Sequence, residues 1–118
     1  MKKVLVVDDA PTVRKLVTFT LEDEGFEMFE ACDGSEALRV IGDNEIDIGI
    51  FDVNMPGIDG IQLTREALAS SGGKDMKIII LTTESSDALK VAGKEAGAIG
   101  WLVKPFEDEA LVSMVTQI

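Results

Sequence analysis

Two stretches decide the fold: Val4-Leu5-Val6-Val7-Asp8-Asp9 and Ile48-Gly49-Ile50-Phe51-Asp52. Each is a short apolar run, rich in β-branched residues, that stops on aspartate. Such runs read as strands buried on both faces, the pattern of a parallel sheet covered by helices. In open parallel sheets, ligands bind just outside the carboxyl ends of the strands. Asp8, Asp9 and Asp52 therefore stand where a ligand is expected. Carboxylates brought together there repel. At ~5 Å and an effective dielectric of about 20, each pair costs about 3 kcal/mol. The arrangement calls for a cation, a raised pKa, or both.

Outward from these two runs, strand and helix patterns alternate without interruption. Strands are expected at Lys3 to Asp8, Glu27 to Cys32, Asp47 to Asp52, Lys77 to Thr82 and Ile99 to Val103. The first intervening helix presents Val13, Leu16, Val17, Thr20 and Leu21 at helical spacing. Pro11 suits its first turn, and Gly25 is its left-handed terminator. The second helix runs from about Gly34 to Ile41, with Ala37, Leu38 and Ile41 inward and an end near Gly42. The third covers about Ile61 to Ser70, stopping at Gly72-Gly73. The fourth covers about Ser86 to Ala96, stopping at Gly97, and carries an interior Gly93 that weakens it by about 1 kcal/mol. The fifth runs from about Glu107 to the end, with Leu111, Val112 and Val115 inward. Five βα units with right-handed crossovers give a doubly wound parallel sheet, helices on both faces. One domain over residues 1–118 is expected, since that length suits a single core.

Composition narrows the function. Net charge is −11, from 22 acidic and 11 basic residues, which argues against direct nucleic-acid or anionic-membrane binding. No run approaches membrane-spanning length, and the apolar run after Met1-Lys2-Lys3 is too short for a signal peptide. The cytoplasm is the expected location. Cys32 is the sole cysteine, so no internal disulfide forms, and it reads as a core-edge thiol. With no histidine, the chain carries no phosphohistidine and no His-based metal site or triad.

The segment after the third strand is Asp52-Val53-Asn54-Met55-Pro56-Gly57-Ile58-Asp59-Gly60. Pro56-Gly57 suits the centre of a type II turn that folds the loop back beside the strand end. Asp59-Gly60 reads as turn chemistry before the third helix. Asp52 in that setting can serve as metal ligand, general base or nucleophile. Thr82 ends the fourth strand and Lys104, in Lys104-Pro105-Phe106, ends the fifth. A hydroxyl and an ammonium beside three carboxylates suit a divalent cation plus a phosphoryl group.

In this order, each at a strand end, these residues resemble the receiver domain of bacterial two-component response regulators, over essentially the whole chain. The resemblance implies a CheY-like, flavodoxin-type three-layer sandwich with strand order 2-1-3-4-5. It implies that Asp52 takes a phosphoryl group from a histidine kinase to give an aspartyl phosphate. Mg²⁺ (or Mn²⁺) would be held by Asp9, Asp52 and the backbone carbonyl of Asn54, with Asp8 acting mainly through water. Lys104 and Thr82 would bind phosphoryl oxygens, and Trp101 would occupy the aromatic switch position. Asn54 and Glu84 would tune dephosphorylation. The domain would accept phosphate and lose it slowly rather than turn over as an enzyme. It would signal through the fourth helix, fifth strand and fifth helix to a downstream protein. The expected state is a monomer, or a phosphorylation-dependent dimer if the domain belongs to a larger regulator.

Within this family the expected version is a stand-alone chemotaxis regulator. A phosphorelay intermediate and the receiver of a transcription regulator are the alternatives. An aspartate-nucleophile phosphatase would need a second carboxylate two residues after Asp52, where Asn54 stands. A flavodoxin-like cofactor binder would need a Ser/Thr/Gly-rich phosphate loop where Asp8-Asp9-Ala10-Pro11 stands.

Overall fold

The two deciding runs become neighbouring strands at the centre of a five-stranded parallel sheet. A computed structural model describes residues 2–83 and 86–118. Chain order is β1 (Lys3–Val7), α1 (Pro11–Asp23), β2 (Glu27–Ala31), α2 (Gly34–Asp43), β3 (Ile48–Phe51), α3 (Gly60–Ala69), β4 (Lys77–Thr82), α4 (Asp87–Ala96), β5 (Gly100–Val103) and α5 (Asp108–Thr116). The sheet order is β2-β1-β3-β4-β5, as the resemblance implied. Chain order reverses direction across the sheet between β1 and β3, the strands that end at the aspartates.

Alternation along each strand sends successive side chains to opposite faces. Leu5, Val7, Phe51, Ile78 and Ile80 pack with Ala37, Ile41, Leu63 and Ala67 of α2 and α3. Val4, Val6, Ile48, Ile50, Ile79 and Leu81 pack with Val17, Leu21, Leu111 and Val115 of α1 and α5. Two apolar layers thus cover β1, β3 and β4, and the strand ends project from that packed frame.

Local chemistry sets the helix limits. The side chains of Asp33, Asp59 and Ser86 cap α2, α3 and α4 by accepting from the backbone N–H groups of Glu36, Gln62 and Leu89. Gly25 and Gly97 take φ of 94° and 114°, the left-handed conformation that glycine tolerates after α1 and α4. Gly57 has φ of 79°, as position i+2 of a type II turn requires.

Several expected details differ. Leu16 is 46% exposed rather than inward. It sits about 100° around the helix from Val17, outside the arc that the sheet covers. Helix α2 continues through Gly42 to Asp43, and α3 begins at Gly60 and ends at Ala69. Asp8 and Asp52 lie one step past the last residues of β1 and β3. Strand β5 starts at Gly100, leaving Ile99 exposed. At the sheet edge, β2 is only partly buried.

Candidate functional site

Register builds the site. Val7 pairs with Phe51, and the Asp52 N–H donates to the Val7 carbonyl at 2.9 Å. The residues that follow, Asp8 and Asp52, therefore emerge side by side. Thr82 pairs with Val103, and the Lys104 N–H donates to the Thr82 carbonyl at 2.8 Å. That bond brings the end of β5 to the same rim. Lys104 then reaches back: its Nζ lies 2.7 Å from Asp8 Oδ2 and 3.5 Å from Asp52 Oδ1. The peptide bond between Lys104 and Pro105 is cis.

Asp8, Asp9 and Asp52 each offer an oxygen within 4.8 Å of the others. Their surroundings differ. Asp8 is 1% exposed, with Oδ1 accepting from the Ala10 N–H at 2.9 Å and Oδ2 engaged by Lys104. Asp9 is exposed. Asp52 is buried, and its carboxyl pKa is raised above the usual aspartate value. Burial is the main cause and the charge of Asp8 adds to it, while Lys104 and the Asn54 backbone N–H oppose it. Three oxygen donors of net negative charge, one of them open to solvent, fit a hard divalent cation that keeps part of its water shell.

Of the expected site residues, Asp8, Asp9, Asp52 and Lys104 are brought together at this rim. Thr82 is fully buried, on the same face of the sheet as Ile80 and Trp101. Trp101 packs one strand away, against α4, where a side-chain carbon on Gly93 would lie 3.0 Å from its ring. Asn54 is exposed on the loop after Asp52. Glu84 lies outside the described residues.

Sequence reasoning missed Arg14, Glu30 and Gly60. Arg14 Nη1 donates to the Asp8 carbonyl at 2.6 Å, and its Nε meets Glu30 Oε1 at 3.4 Å. Gly60 faces the Asp52 carbonyl so closely that any side chain would overlap it. The i, i+4 placement of Arg14 after Ala10 offered no signal, because its partner on β2 is 16 residues away.

Among solved structures, the chain is similar to the Vibrio cholerae chemotaxis protein CheY4, at 42% identity and TM-score 0.95, covering 100% of this chain and 98% of that one. It is similar to the Thermotoga maritima response regulator TrrA, solved with Mg²⁺ and beryllofluoride, at 37% identity and TM-score 0.88, covering 99% and 98%. A CheY-like receiver domain protein from Methanospirillum hungatei matches at 28% identity and TM-score 0.92, covering 99% and 92%. The model of the response regulator receiver domain matches residues 4–116. Domains of this family accept phosphoryl groups from histidine kinases and bind Mg²⁺ at an aspartate cluster. The strand-end carboxylates, the reaching lysine and the sheet order agree with that match, and the chain belongs to the response regulator receiver domain family.

Proposed function

We propose that this chain is a phospho-switch in which Asp52 is the acceptor. The observation that carries the reading is the position of Lys104, whose ammonium bridges the carboxylates of Asp8 and Asp52 at the ends of β1 and β3. An ammonium in that place meets the phosphoryl oxygens once they arrive.

Asp9, Asp52 and the Asn54 carbonyl would hold Mg²⁺ directly. Asp8, whose two oxygens already have protein partners, would act through water. Bound Mg²⁺ supplies positive charge to the transferring oxygens. Asp52 attacks phosphorus with a carboxylate oxygen. An O–P bond forms as the N–P bond to the kinase imidazole breaks, and the released ring nitrogen keeps its electron pair. Lys104 pairs with one phosphoryl oxygen and the Thr82 hydroxyl donates to another. Phosphorylation brings about −1.5 to −2 of charge into the pocket. Thr82 moves toward it, and Trp101, on the same face, follows. Asn54 and Glu84 tune the approach of the hydrolytic water. The chain acts stoichiometrically rather than as a turnover enzyme.

Output passes through α4, β5 and α5 to a protein partner. Exposed Val91, Ile99 and Val103 on α4 and around β5 support that surface. Likeness to CheY4 over both chains supports a chemotaxis-type regulator, and the cytoplasm is its proposed location. No helix among the described residues is long and apolar enough to cross a membrane.

Trp101 is the only tryptophan and reports the switch. Mg²⁺ with beryllofluoride changes its fluorescence, and Asp52→Asn abolishes the change. An equal response in that variant would remove Asp52 from its role. Lys104→Ala still takes up phosphate but shows a weakened Trp101 response, and an unchanged response would remove the lysine from the switch.

A further inference from the structure

We infer that Arg14 is a positioning residue for the metal-binding carboxylate of Asp9, and that Glu30 holds Arg14 in place. The inference rests on the proposed Mg²⁺ site and concerns what gives that site its shape. Asp9 is exposed and lies beyond the last residue of β1, so the sheet ladder does not fix it. Its carboxylate must nonetheless stay within 4.8 Å of Asp8 and Asp52.

The peptide that joins Asp8 to Asp9 is gripped at its carbonyl. Arg14 Nη1 donates to the Asp8 oxygen at 2.6 Å, a short charge-assisted bond from a residue on the first turns of α1. The Asp8 N–H donates in turn to the Ala31 carbonyl of β2 at 3.2 Å. A peptide plane held at its oxygen sets the direction in which the next side chain leaves the backbone.

The guanidinium is itself oriented. Its Nε faces Glu30 Oε1 at 3.4 Å, and Glu30 Oε2 also meets Lys15 at 3.6 Å. Arg14 and Glu30 side chains are 17% and 26% exposed, so the pair is sheltered but not sealed. The chain of support runs from the edge strand through Glu30 and Arg14 to the Asp8–Asp9 peptide. A lysine could supply the charge but not the fork that spans both partners.

The sign of the effect separates this role from a purely electrostatic one. Arg14 is a cation beside an acidic site, so losing only its charge would strengthen Mg²⁺ binding. Losing a positioning contact weakens it. Supporting partners of metal ligands commonly contribute 10- to 100-fold in affinity. Acting one step further away, through the backbone, Arg14→Gln should raise the Mg²⁺ dissociation constant by about three- to tenfold.

The test is a calorimetric Mg²⁺ titration of wild type, Arg14→Gln, Arg14→Lys and Glu30→Gln. Amide spectra of the metal-free proteins are recorded alongside. Weaker binding in Arg14→Gln, partial loss in Arg14→Lys and Glu30→Gln, and displaced Asp9 and Ala10 amides without metal are expected. Asp52 labelling by acetyl phosphate should return to within about twofold of wild type at saturating Mg²⁺, since the defect lies in the metal site. Equal or tighter Mg²⁺ binding in folded Arg14→Gln would overturn the inference, as would a lowered melting temperature with unchanged affinity. If Arg14→Gln fails to fold, Glu30→Gln, on the edge strand, serves in its place, and unchanged Mg²⁺ affinity there would overturn the inference. Failure of the wild type to bind Mg²⁺ would instead overturn the proposed function.

Discussion

Replacing Asp52 by asparagine should make the metal-free protein more stable at neutral pH. Asp52 is 6% exposed, so its ionised form has lost most of its water. Asp8 lies within 4.8 Å, and at an effective dielectric of about 20 that pair repels by about 3.5 kcal/mol. Lys104 at 3.5 Å returns about 4.7 kcal/mol on the same scale. Asp9 is exposed and better screened, adding about 1 kcal/mol of repulsion. The charges nearly cancel, and burial decides the balance, in keeping with the raised pKa and its main cause. Asparagine keeps the shape and an oxygen for the Asn54 N–H while removing the buried charge. A gain of about 1–2 kcal/mol is expected, or roughly 4–8 °C in melting temperature.

The pH dependence follows from the direction of the shift. A carboxyl with a raised folded-state pKa binds its proton more tightly when folded. Its stabilising contribution is complete below the ordinary aspartate pKa and is lost as pH rises through the raised value. Wild type and Asp52→Asn should thus converge in acid and separate toward pH 7. Mg²⁺ reverses the order, because a ligand at 100 times its dissociation constant adds about 2.7 kcal/mol, and the wild type binds it better. Chemical denaturation at several pH values, with EDTA or Mg²⁺, measures each part. A less stable Asp52→Asn at pH 7 in EDTA would refute the reasoning, because it would make the Lys104 pair, not burial, the dominant influence.

Two further outcomes rest on single contacts. Gly60→Ala drives a methyl group into the Asp52 carbonyl and to within 3.2 Å of the Val53 Cα, backbone that has no easy way to yield. It should cost about 1–3 kcal/mol in denaturant unfolding and slow labelling of Asp52; wild-type values for both would show that the loop relaxes freely. Cys32 donates to Glu36 at 3.4 Å, which raises its pKa. Alkylation by iodoacetamide should therefore need a higher pH than free cysteine does, and Glu36→Gln should bring the profile back; a thiol already reactive at neutral pH would contradict this.

The parts of the site carried by strand ends were legible in the sequence, because a strand buried on both faces reads as an unbroken apolar run whose end is plain. Val4 to Val7 and Ile48 to Phe51 are all buried, and Asp8, Asp52, Thr82 and Lys104 follow from that frame. Leu16 misled because helical spacing marks an arc but not its edge; α1 buries Val17 and Leu21 and leaves Leu16 and Phe19 to solvent. Arg14 and Gly60 were hidden for a different reason. Both act on backbone carbonyls, those of Asp8 and Asp52, and a backbone partner leaves no mark in a side-chain pattern. The edge position of β2 follows from the sheet order that the resemblance implied, but the meeting of Glu30 with Arg14 across it left no mark in the sequence.

The most direct measurement is the site and stoichiometry of phosphorylation. The protein is incubated with acetyl phosphate and Mg²⁺, then mapped by mass spectrometry after reductive trapping of the acyl phosphate. One phosphoryl group per chain, on Asp52, absent with EDTA and absent from Asp52→Asn, is the expected result. Equal labelling of Asp52→Asn, or phosphate on Asp8 or Asp9 in the wild type, would contradict the assignment of Asp52 as the acceptor.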